Sequence, residues 1–224
     1  MVSFWELARN SLPALLGGAA VTVELTAICI AAGFVLGWAL ALGRIYGGRF
    51  VYAICTGYVE FVRGTPLLVQ LFFLYYGLPD VGVVLPPLLS AGIAMGLNTA
   101  AYQAEYFRGA IQSIPRGQVE AAYALGMSRL QAFRYIVFPQ AMRTVIPAWS
   151  NELIYMLKYS SLAFVVGVPE LMGRANLIAA RNFRYFELYL VVAGIYIALV
   201  WTLAGIISLL ERAFVVPGLG EPAR

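Results

Sequence analysis

SIPRGQVEAAYALGMSRLQAFRYIVFPQAMRTVIP, residues 113–147, is the longest stretch of the chain without an apolar span. Arg116, Arg129, Arg134 and Arg143 set it apart from strongly apolar neighbours. Pro115 suits a first helical position, where a missing N–H leaves nothing unpaired. Gln118 to Leu125 are good helix formers, and Gly126 suits the residue just past a helix end. Ser128 then opens a second helix, with Gln131 three residues on to complete a capping box. Pro139 and Pro147 are expected to limit the segment after it. The stretch reads as two short helices and a turn, a bent pair on a membrane loop with the form of a docking element.

Outward from that loop the chain is apolar. Of 224 residues, 62% are hydrophobic and 12% charged, against about 25% charged in a soluble domain. This composition specifies an integral membrane protein with one domain. There is no histidine, which excludes histidine catalysis and histidine metal sites. Cys29 and Cys55 stand alone on apolar stretches and suit packing rather than a disulfide or metal. The N-terminus lacks a basic region before an apolar run, so no cleaved signal peptide is expected.

Residues 1–16 read as a short amphipathic lead-in. Residues 17–212 are expected as a single transmembrane domain, with the docking loop at 113–145 and a tail at 213–224. Five spans are expected: Gly17 to Leu42, a second whose deep part is Leu67 to Leu78, Leu88 to Phe107, Val145 to Val168, and Leu188 to Leu210. Phe50 to Arg63 reads as an amphipathic interfacial helix, and Thr65 as the cap of the helix after it. Gly33 and Gly37, and Gly92 and Gly96, are small-residue pairs that let helices approach closely. Residues 170–186 read as a polar stretch, with Pro169 ending the span before it. The fifth span is uncharged and is expected to face lipid. Glu60 with Arg63, and Glu105 with Arg108, are spaced as helical ion pairs. The four tryptophans, mostly near span ends, suit interfacial anchoring.

Five spans put the two ends on opposite sides. Ten arginines, counting those of the docking loop, lie on one side and four on the other. The richer side is cytoplasmic by the positive-inside rule, so the N-terminus faces out and the docking loop and C-terminus face in.

The loop also resembles a known signature: E-A-A, three residues, G, nine residues, I-x-L-P, found in permease subunits of bacterial ATP-binding-cassette importers. Here it stands as Glu120-Ala121-Ala122, Gly126, Ile136 and Phe138-Pro139, with Phe138 in place of leucine. Phe61-Val62-Arg63-Gly64-Thr65-Pro66-Leu67-Leu68-Val69-Gln70, Ala101-Tyr102-Gln103-Ala104-Glu105 and Leu157-Lys158-Tyr159-Ser160-Ser161-Leu162 resemble the polar-amino-acid branch. The resemblance covers about Gly17 to Arg212. It implies an all-α helical bundle of the type I permease fold in the bacterial inner membrane. Implied partners are a separate ATPase, an external substrate-binding protein and a second permease chain, identical or a sister. By the resemblance Glu120 makes a polar contact with the ATPase, Ala121 and Ala122 allow close approach, and Gly126 provides the turn.

No G-x-x-x-x-G-K-[ST] loop occurs, so any driving ATP and its magnesium belong to the partner and this chain binds no cofactor. Nor is nucleic acid an expected partner. Lys158 in mid-span costs about 2.5–3.5 kcal/mol unless it faces a partner or a water-filled cavity. Asn98 and Tyr102 share one helix face, and Tyr155, Lys158 and Tyr159 another. With Ser160 and Ser161 these residues form a candidate substrate pocket, interhelical hydrogen bonding being the alternative. Some relatives that carry basic amino acids have an acidic residue where Tyr159 stands, so a neutral polar amino acid is the expected cargo. The alternative function is an ion-coupled secondary amino-acid transporter, which would leave the docking loop without a role and lacks the internal repeat common in that class. An intramembrane enzyme is disfavoured: Ser160 and Lys158 stand two apart on one helix, on different faces.

Overall fold

The computed structural model describes residues 3–214, with side chains as far as Leu209, so residues 215–224 of the expected tail lie outside the described residues. Helices and the turns between them make up the described residues, with no strand among them: α1 Phe4–Tyr46, α2 Arg49–Arg63, α3 Leu67–Phe72, α4 Pro87–Gln112, α5 Arg116–Ala124, α6 Arg129–Ala132, α7 Phe138–Tyr159, α8 Leu171–Asn182 and α9 Tyr185–Phe214. α1 opens with a capping box, Ser3 and Glu6 exchanging hydrogen bonds of 3.2 and 2.8 Å. The expected lead-in is therefore the start of one 43-residue helix, whose Leu7, Ser11 and Leu15 are already buried.

α4 is the central element, packed against α1, α2, α3 and α7. It runs parallel to α1, because Leu25 meets Gly92 while Gly37 meets Ala104. A Cβ on Gly33 would stand 2.5 Å from Thr99 Cγ2, and one on Gly37 would stand 3.1 Å from the Ala100 carbonyl. The first expected glycine pair is thus where α1 lies against the α4 backbone. The second pair packs loosely, with only Leu25 and Ala32 at 3.9–4.0 Å.

By length and apolarity alone two described helices suffice to cross a membrane, Phe4–Tyr46 and Tyr185–Leu209. The number reaches four if each of two bent pairs is one span: Arg49–Arg63 with Leu67–Val81, bent by 102°, and Arg129–Val166 with Leu171–Asn182, bent by 47°. The expected third span falls on α4, which is not among them; its surroundings are helices, so it carries small and polar residues. α9 is mostly unburied, as expected of a lipid-facing helix.

Several local expectations are corrected. Thr65 does not cap α3; its hydroxyl donates to the Phe61 and Val62 carbonyls and closes α2 instead. Gln70 reaches back across the bend to the Val62 carbonyl at 2.8 Å and holds the corner. Pro139 and Pro147 do not interrupt the chain after α6. A π turn, Phe133–Val137, joins α6 to α7, and Pro147 lies inside α7. Pro139 lacks an N–H and its ring presses on the carbonyl four residues back, and the widened turn lies just where this occurs. The expected fourth span thus begins earlier, at Phe138, and ends in a 3₁₀ turn, Ser160–Val166, closed by Gly167 at φ +89 rather than by Pro169.

The polar stretch 170–186 contains α8, which lies against the N-terminal half of α1. Glu170, fully buried, caps it by accepting from the Met172 and Gly173 amides at 2.9 and 2.6 Å. The Thr22 hydroxyl donates to the same carboxyl at 3.3 Å and accepts from the Leu171 amide at 3.2 Å. Trp5 and Trp201 are exposed, but Trp38 stacks on Phe107 at 4.5 Å in the interior and Trp149 hydrogen-bonds Gln103. These two are bundle residues, not interfacial anchors.

Candidate functional site: a polar cavity and a docking surface

At the corner between α2 and α3 the chain opens a cavity of about 600 Å³. Arg63, Thr65 and Leu68 form one wall, Asn98, Tyr102 and Tyr106 of α4 a second, and Glu152, Tyr155, Tyr159 and Leu162 a third. The Asn98 amide donates to Gln70 Oε1 at 3.1 Å, which ties α4 to the corner. The Arg63 guanidinium lies over the Tyr102 ring at 5.4 Å and has no carboxylate within 4 Å among the described residues. Glu152, 6% exposed, accepts from the Thr99 hydroxyl at 2.7 Å and from Tyr106 at 3.2 Å. The cavity thus offers a guanidinium and a carboxyl held by hydroxyls, complementary to a molecule carrying charges of both signs.

Three of the six expected pocket residues line this cavity: Asn98, Tyr102 and Tyr159. Lys158 does not. It projects from an exposed face of α7 with Nζ 4.7 Å from the Tyr155 ring centre. Nor do Ser160 and Ser161, whose hydroxyls donate to the Leu157 and Lys158 carbonyls at 2.7 Å each. Both bonds stay within the segment, and Ser160 also interacts with the Tyr196 side chain of α9. Sequence reasoning missed Arg63, Tyr106 and Glu152. An acidic residue inside a span is a signal for a site in its own right, and Glu152 carries it. Arg63 is spaced to pair with Glu60, yet Glu60 lies 3.9 Å from Arg44 instead. The other expected pair forms: Arg108 meets Glu105 at 2.6 Å, and Arg44 joins it from α1.

The docking stretch takes the expected local form, except that Pro115 precedes α5 as its cap and Arg116 is the first helical residue. Ser128 and Gln131 exchange capping-box bonds of 3.3 and 2.8 Å. α5 ends in a Schellman turn: Gly126, at φ +80, donates to Tyr123 at 2.9 Å and Met127 to Ala122 at 3.1 Å. Glu120 and Ala121 are exposed, as are Tyr123, Leu125 (80%) and Leu130 (74%). Ala122 is buried and packs into its own chain, so only Ala121 is free to admit an outside surface. Ile136 lies half-buried in the π turn and Pro139 exposed at the head of α7. Large exposed apolar residues beside a polar helix mark an interaction site. Among the described residues no three His, Cys, Asp or Glu come together as a metal site would require.

A family model described as "Binding-protein-dependent transport system inner membrane component" matches residues 33–216. The nopaline transport system permease protein of Agrobacterium fabrum is 38% identical, over 92% of this chain and 90% of its own. The glutamine transport system permease protein of Escherichia coli is 35% identical, over 93% and 96%. Among solved structures, one described as an amino acid ABC transporter with histidines superposes with a TM-score of 0.89 at 36% identity, covering 95% of this chain and 99% of the other. The MetNI methionine ABC transporter in inward-facing form superposes at 0.77 with 22% identity, over 91% and 97%, a likeness of fold.

Proposed function

This chain belongs to the family of binding-protein-dependent transport system inner membrane components, and from that premise we propose how it works as the permease subunit of an amino-acid ABC importer. The cavity between α2, α4 and α7 passes an amino acid of neutral polar side chain. The observation that carries this reading is the Arg63 guanidinium, which lines the cavity without a carboxylate partner among the described residues. It receives the substrate α-carboxylate, while the α-ammonium donates to Glu152. Glu152 is the one carboxyl in the wall, so a cationic side chain would find no second one, and Tyr159 offers a ring instead. A volume of about 600 Å³ lies within the range of small-molecule sites.

ATP is hydrolysed on a separate subunit that seats against Glu120, Ala121, Gly126 and the apolar residues around them. Closure of that motor moves α5 and α6, and the helices above them alternate the cavity between an external binding protein and the cytoplasm. A second permease chain, the same or a sister, completes the path. Asn151, Tyr155, Lys158 and Tyr159 are exposed together on α7, and a face bearing an ammonium is unsuited to acyl chains. The loop lies inside and the N-terminus outside, by the distribution of arginines.

The test is reconstitution into liposomes with the ATPase and binding protein. ATP-dependent uptake that requires both is expected, and Arg63→Ala should abolish it while leaving the complex assembled. Uptake by the chain alone under an ion gradient would instead establish the secondary-transporter alternative. Undiminished uptake by the Arg63→Ala complex would remove the assigned carboxylate site.

A further inference from the structure

A continuous run of contacts leads from the docking stretch to the cavity wall. Phe133 in the π turn lies 6.0 Å from Phe138, and Phe138 lies 5.3 Å from Trp38 of α1. Trp38 stacks on Phe107, Phe107 meets Phe34 edge-on at 5.2 Å, and Phe34 meets Trp149 of α7 at 6.1 Å. There the apolar contacts give way to hydrogen bonds. Trp149 Nε1–H donates to Gln103 Oε1 at 2.8 Å. Gln103 Nε2–H₂ donates to the Thr99 hydroxyl at 3.1 Å and to the Ile30 carbonyl at 3.3 Å. Thr99 donates to Glu152. Gln103 and Thr99 are fully buried and line no part of the cavity.

We infer that Gln103 is a positioning residue through which movement of the segment after α6 reaches Glu152 in the cavity wall. The inference rests on the transporter reading above. Gln103 is the point where three helices are tied by one side chain: its own α4, α1 through Ile30 and α7 through Trp149. Its amide is fully used, and a satisfied buried network has one low-energy arrangement. A shift of Trp149 relative to α4 must therefore either stretch its bond or turn the Gln103 amide. Turning the amide withdraws the N–H donated to Thr99, and with it disturbs the hydroxyl that holds Glu152. Gly33 keeps this assembly in place from the opposite side: a Cβ there would stand 2.6 Å from Gln103 Nε2. Such a chain becomes a coupling route only if both ends bias it, which is a measurable property.

The experiment uses the full complex in liposomes and compares basal ATP hydrolysis, hydrolysis stimulated by loaded binding protein, and amino acid moved per ATP. Gln103→Met removes the amide at similar volume. Trp149→Phe removes the N–H but leaves a ring beside Phe34. Gly33→Ala crowds both Thr99 Cγ2 and the Gln103 amide from α1 and touches no residue that lines the cavity. Each is expected to keep basal hydrolysis near wild type and to lower amino acid moved per ATP by about 5-fold or more, the lower end of measured coupling between linked sites. The double variant Gln103→Met/Trp149→Phe should be no worse than the poorer single one, since the two act in series. Wild-type transport per ATP in Trp149→Phe and Gly33→Ala would overturn the assignment, as would a proportional fall in basal and stimulated rates, which marks a merely structural role. Absence of ATP-driven uptake by the wild-type complex would overturn the transporter reading itself and this inference with it.

Discussion

Replacing Gly126 by alanine isolates one feature of the docking surface, the left-handed turn that presents α5 and α6 together. Nothing lies within 4 Å of where the new Cβ would stand, so contact with neighbours adds no penalty. What remains is the backbone: φ is +80, and an L-residue in the left-handed region costs roughly 1–2 kcal/mol. The turn is closed by two backbone hydrogen bonds, Gly126 to Tyr123 and Met127 to Ala122, each worth about 0.5–1.5 kcal/mol net. The penalty is thus as large as what holds the turn shut, and about 1–2 kcal/mol corresponds to a factor of about 5–30 in a population. The apparent Kd of the ATPase for the permease should rise by up to about 30-fold, because only the fraction with the closed turn binds. Titrating the purified ATPase onto the permease in nanodiscs measures this directly. Gly126→Asn should fall between glycine and alanine, since asparagine visits the left-handed region more readily. An alanine variant that binds like wild type, or an asparagine variant weaker than alanine, would show that the turn is not what the partner reads.

Two further outcomes are expected. Ala121→Asp places a charge on the exposed side of α5; the permease should still insert, while ATPase recovered on co-purification falls well below wild type, and equal recovery would argue against a docking role. Phe107→Ala empties a fully buried site between Trp38 and Phe34 and should destabilise the bundle by about 3–5 kcal/mol, seen as a clear drop in melting temperature in detergent.

The docking stretch is the most legible part of the sequence because its signals are local. A capping box and a helix-ending glycine act within six residues of themselves, and both appear in the structure where the sequence places them. The π turn is not legible: Pro139 reads as a break, but the chain accommodates it by widening one turn rather than ending the helix. The cavity is half legible. Helix periodicity finds Asn98, Tyr102 and Tyr159 but also groups Lys158 with them, and the two serines stand out for polarity alone. Arg63 and Glu152 depend on contacts between distant segments. Arg63 lies three residues from a carboxylate yet stands over Tyr102, while Arg44 of α1 is the cation near Glu60. Helix spacing identifies which residues can meet, and tertiary competition decides which do.

The joint between Thr22 and Glu170 has a bearing on how the protein is made. Thr22 leaves the ribosome 148 residues ahead of the carboxyl it will bond, so α1 must wait in the bilayer while most of the polypeptide is translated behind it. Until Glu170 arrives, the Thr22 hydroxyl has no carboxyl to donate to, and α8, which Glu170 caps, has not begun. The Thr22 end of α1 is therefore fastened to α8 late, and a nascent chain halted before Glu170 leaves that end of the first helix without this joint however well the Gly33–Gly37 end has packed on α4.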